Sequence, residues 1–311
     1  MKILLFTDGS AYSEMAISNL EALRLPSQTQ VTAMTVVPEQ TFLGGITFGT
    51  LKGGSSIKKT EQEQRSVELL QGAIKGLSTS RLKVDRLVQW GNPAETILKV
   101  AEERDTSLIV LGAKGVADSP PFLLGSIAQK VMKYARASVL LARNKPATIR
   151  RVLFATDGSK YSEAMAQFLM RLPLPRRCQI IVVTSLQSHI EALVSMPTLD
   201  LETNQRLIAQ LKAAEEEQAR QLIAKSKEQL ETKGYKTVSL VIRGGAAESI
   251  LKAAEECDPD IIALGSKGLT GIEQFLLGSV AERVARYARC SVLIGRLPAT
   301  ENRARVKASM A

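Results

Sequence analysis

Two stretches of this chain have the residue types and spacing to hold an anion. Gly112-Ala113-Lys114-Gly115 is followed after nine residues by Gly125-Ser126, and Gly265-Ser266-Lys267-Gly268 after nine residues by Gly278-Ser279. The first two glycines of each set allow a tight loop whose amides face a ligand with no side chain between. The Gly-Ser pair reads as a helix start, where free N–H groups and the positive dipole end favour negative charge and Ser is a good cap. Each set is therefore a cradle suited to a phosphate chain. Lys114 and Lys267 lie inside the loops, where an ammonium could reach a phosphate oxygen or simply point to solvent.

A second duplicated group is Thr7-Asp8-Gly9-Ser10 with Thr156-Asp157-Gly158-Ser159. A carboxylate beside a phosphate cradle would repel the ligand, so Asp8 and Asp157 are expected to face the sugar or base end. There they can accept hydrogen bonds from ribose hydroxyls or an amino group. The alternative is that each caps the helix starting near Tyr12 or Tyr161. The only histidine, His189, has no copy in the first half. No glutamate pair or arginine finger is duplicated beside the loop, and there is no Walker motif, GxGxxG, nucleophile–base pair or paired-carboxylate metal site. Nothing obvious positions a water for in-line attack, so any hydrolysis is expected to be slow.

These groups recur because the chain itself recurs. The Asp motifs are offset by 149 positions and the glycine motifs by 153, so the repeat is a whole domain rather than a solenoid unit of ~20–50 residues. Short apolar runs alternate with amphipathic stretches, the pattern of βαβ units and a parallel sheet. Strands are expected near 2–7, 30–37, 83–90, 107–112 and 138–142, then 151–156, 178–185, 236–243, 260–265 and 291–295. Helices are expected near 12–24, 58–77, 93–104 and 125–136, then 160–171, 198–233, 246–256 and 278–289. The boundaries divide the chain into 1–145, 146–297 and a basic, disordered tail at 298–311. A glycine-rich, flexible stretch spans Phe42 to Gly54, and Pro120-Pro121 stiffen the first loop.

With 311 residues and a net charge of +10, the chain is basic but not focused. Residues 1–149 carry 18 basic and 13 acidic groups, and the remainder 23 and 18. A nucleic-acid surface would show a stripe or interleaved aromatics, and neither is visible. Cys178, Cys257 and Cys290 lack CxxC spacing, which fits a reducing compartment and a cytoplasmic protein. No apolar run approaches the ~20 residues of a membrane span.

Strand–Thr-Asp-Gly-Ser followed by Gly-x-x-Gly-(nine)-Gly-Ser, twice over, resembles the universal stress protein family, in its ATP-binding branch and as a tandem two-domain member. The resemblance implies two tandem open parallel-sheet α/β sandwiches of Rossmann-like, adenine-nucleotide-binding type, five strands each in the order 3-2-1-4-5. It implies ATP or ADP as ligand, with room for Mg²⁺ through the phosphates, and a stress-response regulator that is at most a slow ATPase. Carried over, Thr7, Asp8, Val36, Gly112, Lys114, Gly115, Gly125, Ser126 and Ile127 would bind nucleotide in the first half. Thr156, Asp157, Ser185, Gly265, Lys267, Gly268, Gly278, Ser279 and Val280 would do so in the second. Val36 would give backbone contacts to adenine, and Ser185 departs from the apolar residue usual there. Gly91-Asn92-Pro93 resembles the family's turn after the third strand, replaced in the second half by Gly244-Gly245-Ala246. Family members commonly pair through the last strand, implying pairing of the two halves or a homodimer. Alternatives are an enzyme of the related adenine-nucleotide fold and a nucleotide-free scaffold.

Overall fold

The computed structural model describes residues 1–38, 55–78, 82–115, 124–186, 201–269 and 277–297. The glycine-rich stretch at 42–54, Pro120, Pro121, His189, the first residues of the helix expected from 198 and the tail at 298–311 lie outside the described residues. The chain forms two compact units, Met1–Ala147 and Thr148–Ala311.

In unit 1, five runs rich in Leu, Ile and Val form β1 (Lys2–Phe6), β2 (Gln30–Val37), β3 (Lys83–Trp90), β4 (Leu108–Gly112) and β5 (Ser138–Ala142). All pair in parallel, in the order β3-β2-β1-β4-β5. Leu4, Leu5, Ile109 and Val110 are fully buried, as expected for central strands covered on both faces. Each such side chain contributes about 1.5–3 kcal/mol by leaving water. Helices α1 (Ala11–Glu21) and α2 (Ser55–Ser78) touch each other, as do α3 (Pro93–Glu103) and α4 (Ser126–Tyr134). Right-handed crossovers put the first pair on one face of the sheet and the second pair on the other.

Unit 2 repeats this with β6 (Arg151–Ala155), α5 (Lys160–Arg171), β7 (Gln179–Leu186), α6 (Leu201–Glu231), β8 (Lys236–Arg243), α7 (Ala246–Cys257), β9 (Ile261–Gly265), α8 (Ser279–Tyr287) and β10 (Ser291–Gly295). Its strands run β8-β7-β6-β9-β10, again parallel. The long charged α6 packs on β7 and β8. It buries Ala219, Ile223 and Leu230. On its solvent side Glu216 meets Arg220 and Arg243.

In both units the first strand is flanked by the second and the fourth, which are reached by connections leaving in opposite directions. The crevice at the carboxyl ends of such a strand pair is where open α/β sheets receive ligands. Both duplicated motifs lie there: Thr7–Ser10 follow β1 and Ala113–Gly115 follow β4.

Candidate functional site

The local chemistry of the first motif fixes where its carboxylate goes. Thr7 is buried, and its hydroxyl donates to Ser13 Oγ at 3.0 Å while accepting from Gly9 N at 3.3 Å. Gly9 takes φ +76°, a left-handed turn that a side chain would strain. Ser10 then caps α1, its hydroxyl accepting from Ser13 N at 3.2 Å. The cap is therefore Ser10 and not Asp8, which corrects the capping alternative. Asp8 Oδ1 accepts from Ser10 N at 3.0 Å, and this Asx turn leaves Oδ2 to face the loop after β4. Unit 2 matches it: Thr156 to Ser162 Oγ at 3.2 Å, Ser162 N to the Ser159 cap at 3.3 Å, and Ser159 N to Asp157 Oδ1 at 3.0 Å.

Each glycine of the second motif has its own neighbour. A Cβ at Gly112 would lie 2.7 Å from the carbonyl carbon of Tyr12, so this glycine lets the start of α1 rest on the end of β4. A Cβ at Gly115 would lie 2.8 Å from Asp8 Oδ2. The two duplicated motifs thus meet at this point. A Cβ at Gly125 would lie 3.1 Å from Lys114 Cα, and Gly125 N donates to Ala113 O at 2.9 Å, folding the start of α4 back over the loop. No side chain caps α4, and Ser126 is exposed at its first position, with Ile127 next to it. In unit 2, a Cβ at Gly265 would lie 2.7 Å from the Tyr161 carbonyl carbon, one at Gly268 2.8 Å from Asp157 Oδ2, and one at Gly278 3.2 Å from Lys267 Cα. Gly278 N donates to Ser266 O at 2.8 Å, and α8 opens without a side-chain cap on exposed Ser279 and half-buried Val280.

The register explains the rest of the constellation. Phe6 pairs with Met34 and Leu5 with Val110, so Asp8, two residues beyond Phe6, stands between the end of β2 at Val36 and the loop after β4. Ala155 pairs with Val183, which puts Asp157 level with Ser185 in the same way. Val36 is buried, and Ser185 is half-buried. In unit 2 the carboxylate also engages the loop backbone, Leu269 N donating to Asp157 Oδ2 at 3.1 Å.

Lys114 is buried, which removes the solvent-pointing reading for it, and its ammonium lies 5.7 Å from the Tyr12 ring centroid. Lys267 is half-buried with the same 5.7 Å relation to Tyr161. Sequence reasoning missed both tyrosines and two arginines, Arg143 and Arg296, which follow β5 and β10. Ala113 N donates to Ala142 O at 2.9 Å and Ser266 N to Gly295 O at 3.0 Å, so each arginine comes next to a residue bonded to its loop. The signal was present, since 143 and 296 share the glycine offset of 153. Among the described residues, no group of three or more His, Cys, Asp or Glu side chains could hold a metal ion. No described helix is long and apolar enough to cross a membrane. The three cysteines are free thiols.

The family model described as "Universal stress protein family" matches twice, over residues 1–143 and 148–296. The chain belongs to the universal stress protein family. A universal stress protein of Methanocaldococcus jannaschii is 30% identical over 161 residues, covering 52% of this chain and 90% of that protein. Among solved structures, a universal stress protein from Archaeoglobus fulgidus superposes with a TM-score of 0.62 at 19% identity, covering 95% of this chain and 98% of its own. A functionally unknown protein from Pseudomonas aeruginosa reaches 0.65 at 16% identity over 100% of this chain and 97% of its own. At these identities the likeness shows the fold, which both structures share across the whole tandem.

Proposed function

We propose that each unit binds an adenine nucleotide, ATP or ADP, and that the chain is a regulatory binding protein rather than a fast enzyme. The observation that carries this reading is that Asp8 Oδ2 faces Gly115, and Asp157 Oδ2 faces Gly268, so closely that a Cβ on either glycine would lie 2.8 Å from the carboxylate, beside an uncapped helix start. Phosphates would lie on the loop and the first amides of α4 and α8, at Gly112, Gly115, Gly125, Ser126 and Ile127 and their counterparts Gly265, Gly268, Gly278, Ser279 and Val280. The fit is close: a Cβ at Gly115 or Gly268 would enter the space beside the carboxylate. The Asp would accept from ribose or base donors, and the ends of β2 and β7 at Val36 and Ser185 would border the base. Thr7 and Thr156 hold the turn through internal hydrogen bonds, so their part is to position the carboxylate.

Mg²⁺ would enter through the phosphates. The duplicated motifs add no carboxylate besides Asp8 and Asp157, and the sequence duplicates no histidine or glutamate pair beside them. Hydrolysis is therefore expected to fall far below the ~1 s⁻¹ of slow enzymes. A bound nucleotide bridging Asp and loop stabilises the ordered site by mass action. Pairing through β5 and β10, the last strands of their units, belongs to the same proposal, and the size of a 1–147 fragment in solution tests it. Mass spectrometry of small molecules released by gentle denaturation tests the nucleotide reading. It predicts ATP or ADP, and a chain that retains none and binds none on addition would refute it.

A further inference from the structure

The edge strands β3 and β8 are protected very differently. Among the described residues, the eight of β8 pair with β7 alone. Gly244 N donates to Leu186 O at 3.0 Å, and peptide groups alternate in direction along a strand of a parallel sheet. Val238, Leu240 and Ile242 therefore turn their amides and carbonyls to β7, while Thr237, Ser239, Val241 and Arg243 turn theirs outward. Such a row is a template for another strand. In unit 1 the centre of β3 is blunted by Asp85 and Arg86, both exposed, with Asp85 paired to Arg104 at 3.4 Å. At the offset of 153, β8 has Val238 and Ser239 there instead. Val238 is 43% and Val241 37% exposed, and Leu240 and Ile242 are half-buried. The outer edge of β8 is thus long, apolar and uncharged at its centre.

The pattern of β8 fits a second copy of itself. Two copies related by a twofold axis perpendicular to the sheet pair antiparallel, and residues directly opposite share a face. With the axis on Leu240, Thr237 meets Arg243 and Ser239 meets Val241, the residues whose amides and carbonyls point outward. Between them Val238 meets Ile242 and Leu240 meets its own copy, both apolar cross-strand pairs. Lys236 falls opposite Gly244, so no like charges oppose each other. The α6 side is matched as well. A groove of about 340 Å³ runs between α6 and β8, lined by Ile223, Ala224 and Val241. At one end Glu216 joins Arg220 and Arg243, a set with one net positive charge. At the other, Thr237 donates to Glu231, which with Lys227 and Glu228 makes one net negative charge. The antiparallel copy sets each end against its opposite. The same axis on Leu87 of β3 would place Asp85 against Gln89 and Arg86 against Val88, burying charge among uncharged residues. We propose that β8 is a self-pairing surface, through which two copies of this chain join edge to edge and cover the groove beside α6. This stands apart from the nucleotide reading and from pairing through β5 and β10.

The test is analytical sedimentation of the full chain, with thermal melts to verify folding. Wild type at ~100 µM, enough to populate a dimer whose Kd is below about 10 µM, is expected to sediment with the mass of two chains. Val238→Asp with Ser239→Arg copies the centre of β3 onto exposed positions and is expected to halve that mass. In a Cys257→Ala, Cys290→Ala background, Leu240→Cys is expected to form a disulfide between copies under mild oxidation. Opposite residues of a pair without backbone bonds lie about 4.5 Å apart at Cα, within disulfide reach. Val238→Cys meets Ile242 rather than itself and is expected to form none. A folded Val238→Asp, Ser239→Arg chain that keeps the mass of two chains overturns the proposal, and so does a dimer that Leu240→Cys fails to link. A monomeric wild type overturns it too. Slow amide exchange at Ser239 and Val241 in that monomer would assign the edge to another segment of the chain, and fast exchange would show it bare.

Discussion

In unit 1 the missing Cβ of Gly115 would meet Asp8 at 2.8 Å, and in unit 2 that of Gly268 would meet Asp157 at the same distance. The outer edges of the two units have no such correspondence. Arg104 donates to Thr32 at 2.9 Å and pairs with Asp85 at 3.4 Å, fastening α3 to β2 and β3. At the offsets of 149 and 153, unit 2 has Ile181, Val238 and Cys257 in their places, and Val238 is 43% exposed. Asn92 caps α3 with its side chain, whereas α7 starts on Gly245 with no side-chain cap. The difference follows from what each contact does. At the switch point, Gly112 and Gly265 also lie against the backbone of Tyr12 and Tyr161, which has little room to relax. At the edge, an exposed ion pair is worth only ~0–1 kcal/mol and can be exchanged for apolar contact.

That contrast predicts effects of graded size. Gly112→Ala and Gly265→Ala push a methyl to 2.7 Å from the backbone of Tyr12 or Tyr161. Each is expected to cost about 3 kcal/mol, at the upper end for overpacking. Trp90, the only tryptophan, reports unit 1, so Gly112→Ala should lower the urea midpoint of its fluorescence. An unchanged midpoint would break the claim that this contact is rigid.

A smaller, pH-dependent difference comes from Cys178, which stands where unit 1 has Thr29, both buried. Burial, with Asp260 adding to it, pushes the Cys178 thiol from 9.0 up to about 12. Above the ordinary value the unfolded chain loses a proton that the folded chain keeps, so stability falls as pH rises. The decline is on the order of 1 kcal/mol per pH unit between about pH 9 and 12. Urea unfolding of Cys178→Thr should show less alkaline loss than wild type, and identical pH profiles would exclude Cys178 as its source.

Smaller still is the α3 cap. Asn92 accepts from Ala94 N at 3.1 Å and Glu95 N at 3.3 Å, and Asn92→Ala is expected to cost about 1 kcal/mol in thermal unfolding. Asp85→Ala should cost less than about 1 kcal/mol, since both partners of its ion pair are partly exposed. A larger loss for Asp85 than for Asn92 would reverse the ranking of edge contacts.

Much of the fold was legible because its strands are continuous apolar runs and its helices open on recognisable signals. Asn92-Pro93 marks the start of α3, and Ser10 and Ser159 start α1 and α5. The glycine loops were legible because duplication preserved their spacing. The approach of Tyr12 to Lys114 and of Tyr161 to Lys267 was not legible, since it joins a helix start to a loop about a hundred residues away. The role of Ser10 over Asp8 was likewise decided by two hydrogen bonds that spacing alone could not distinguish.

The most direct test of the central claim is calorimetric titration of the full chain with ATP, alongside Gly115→Val, Gly268→Val and the double variant. A Val side chain at either position would occupy the space beside the Asp carboxylate and block approach to the loop amides. The account predicts two sites in the wild type, one in each single variant and none in the double variant. Binding that persists unaltered in a folded double variant would contradict it.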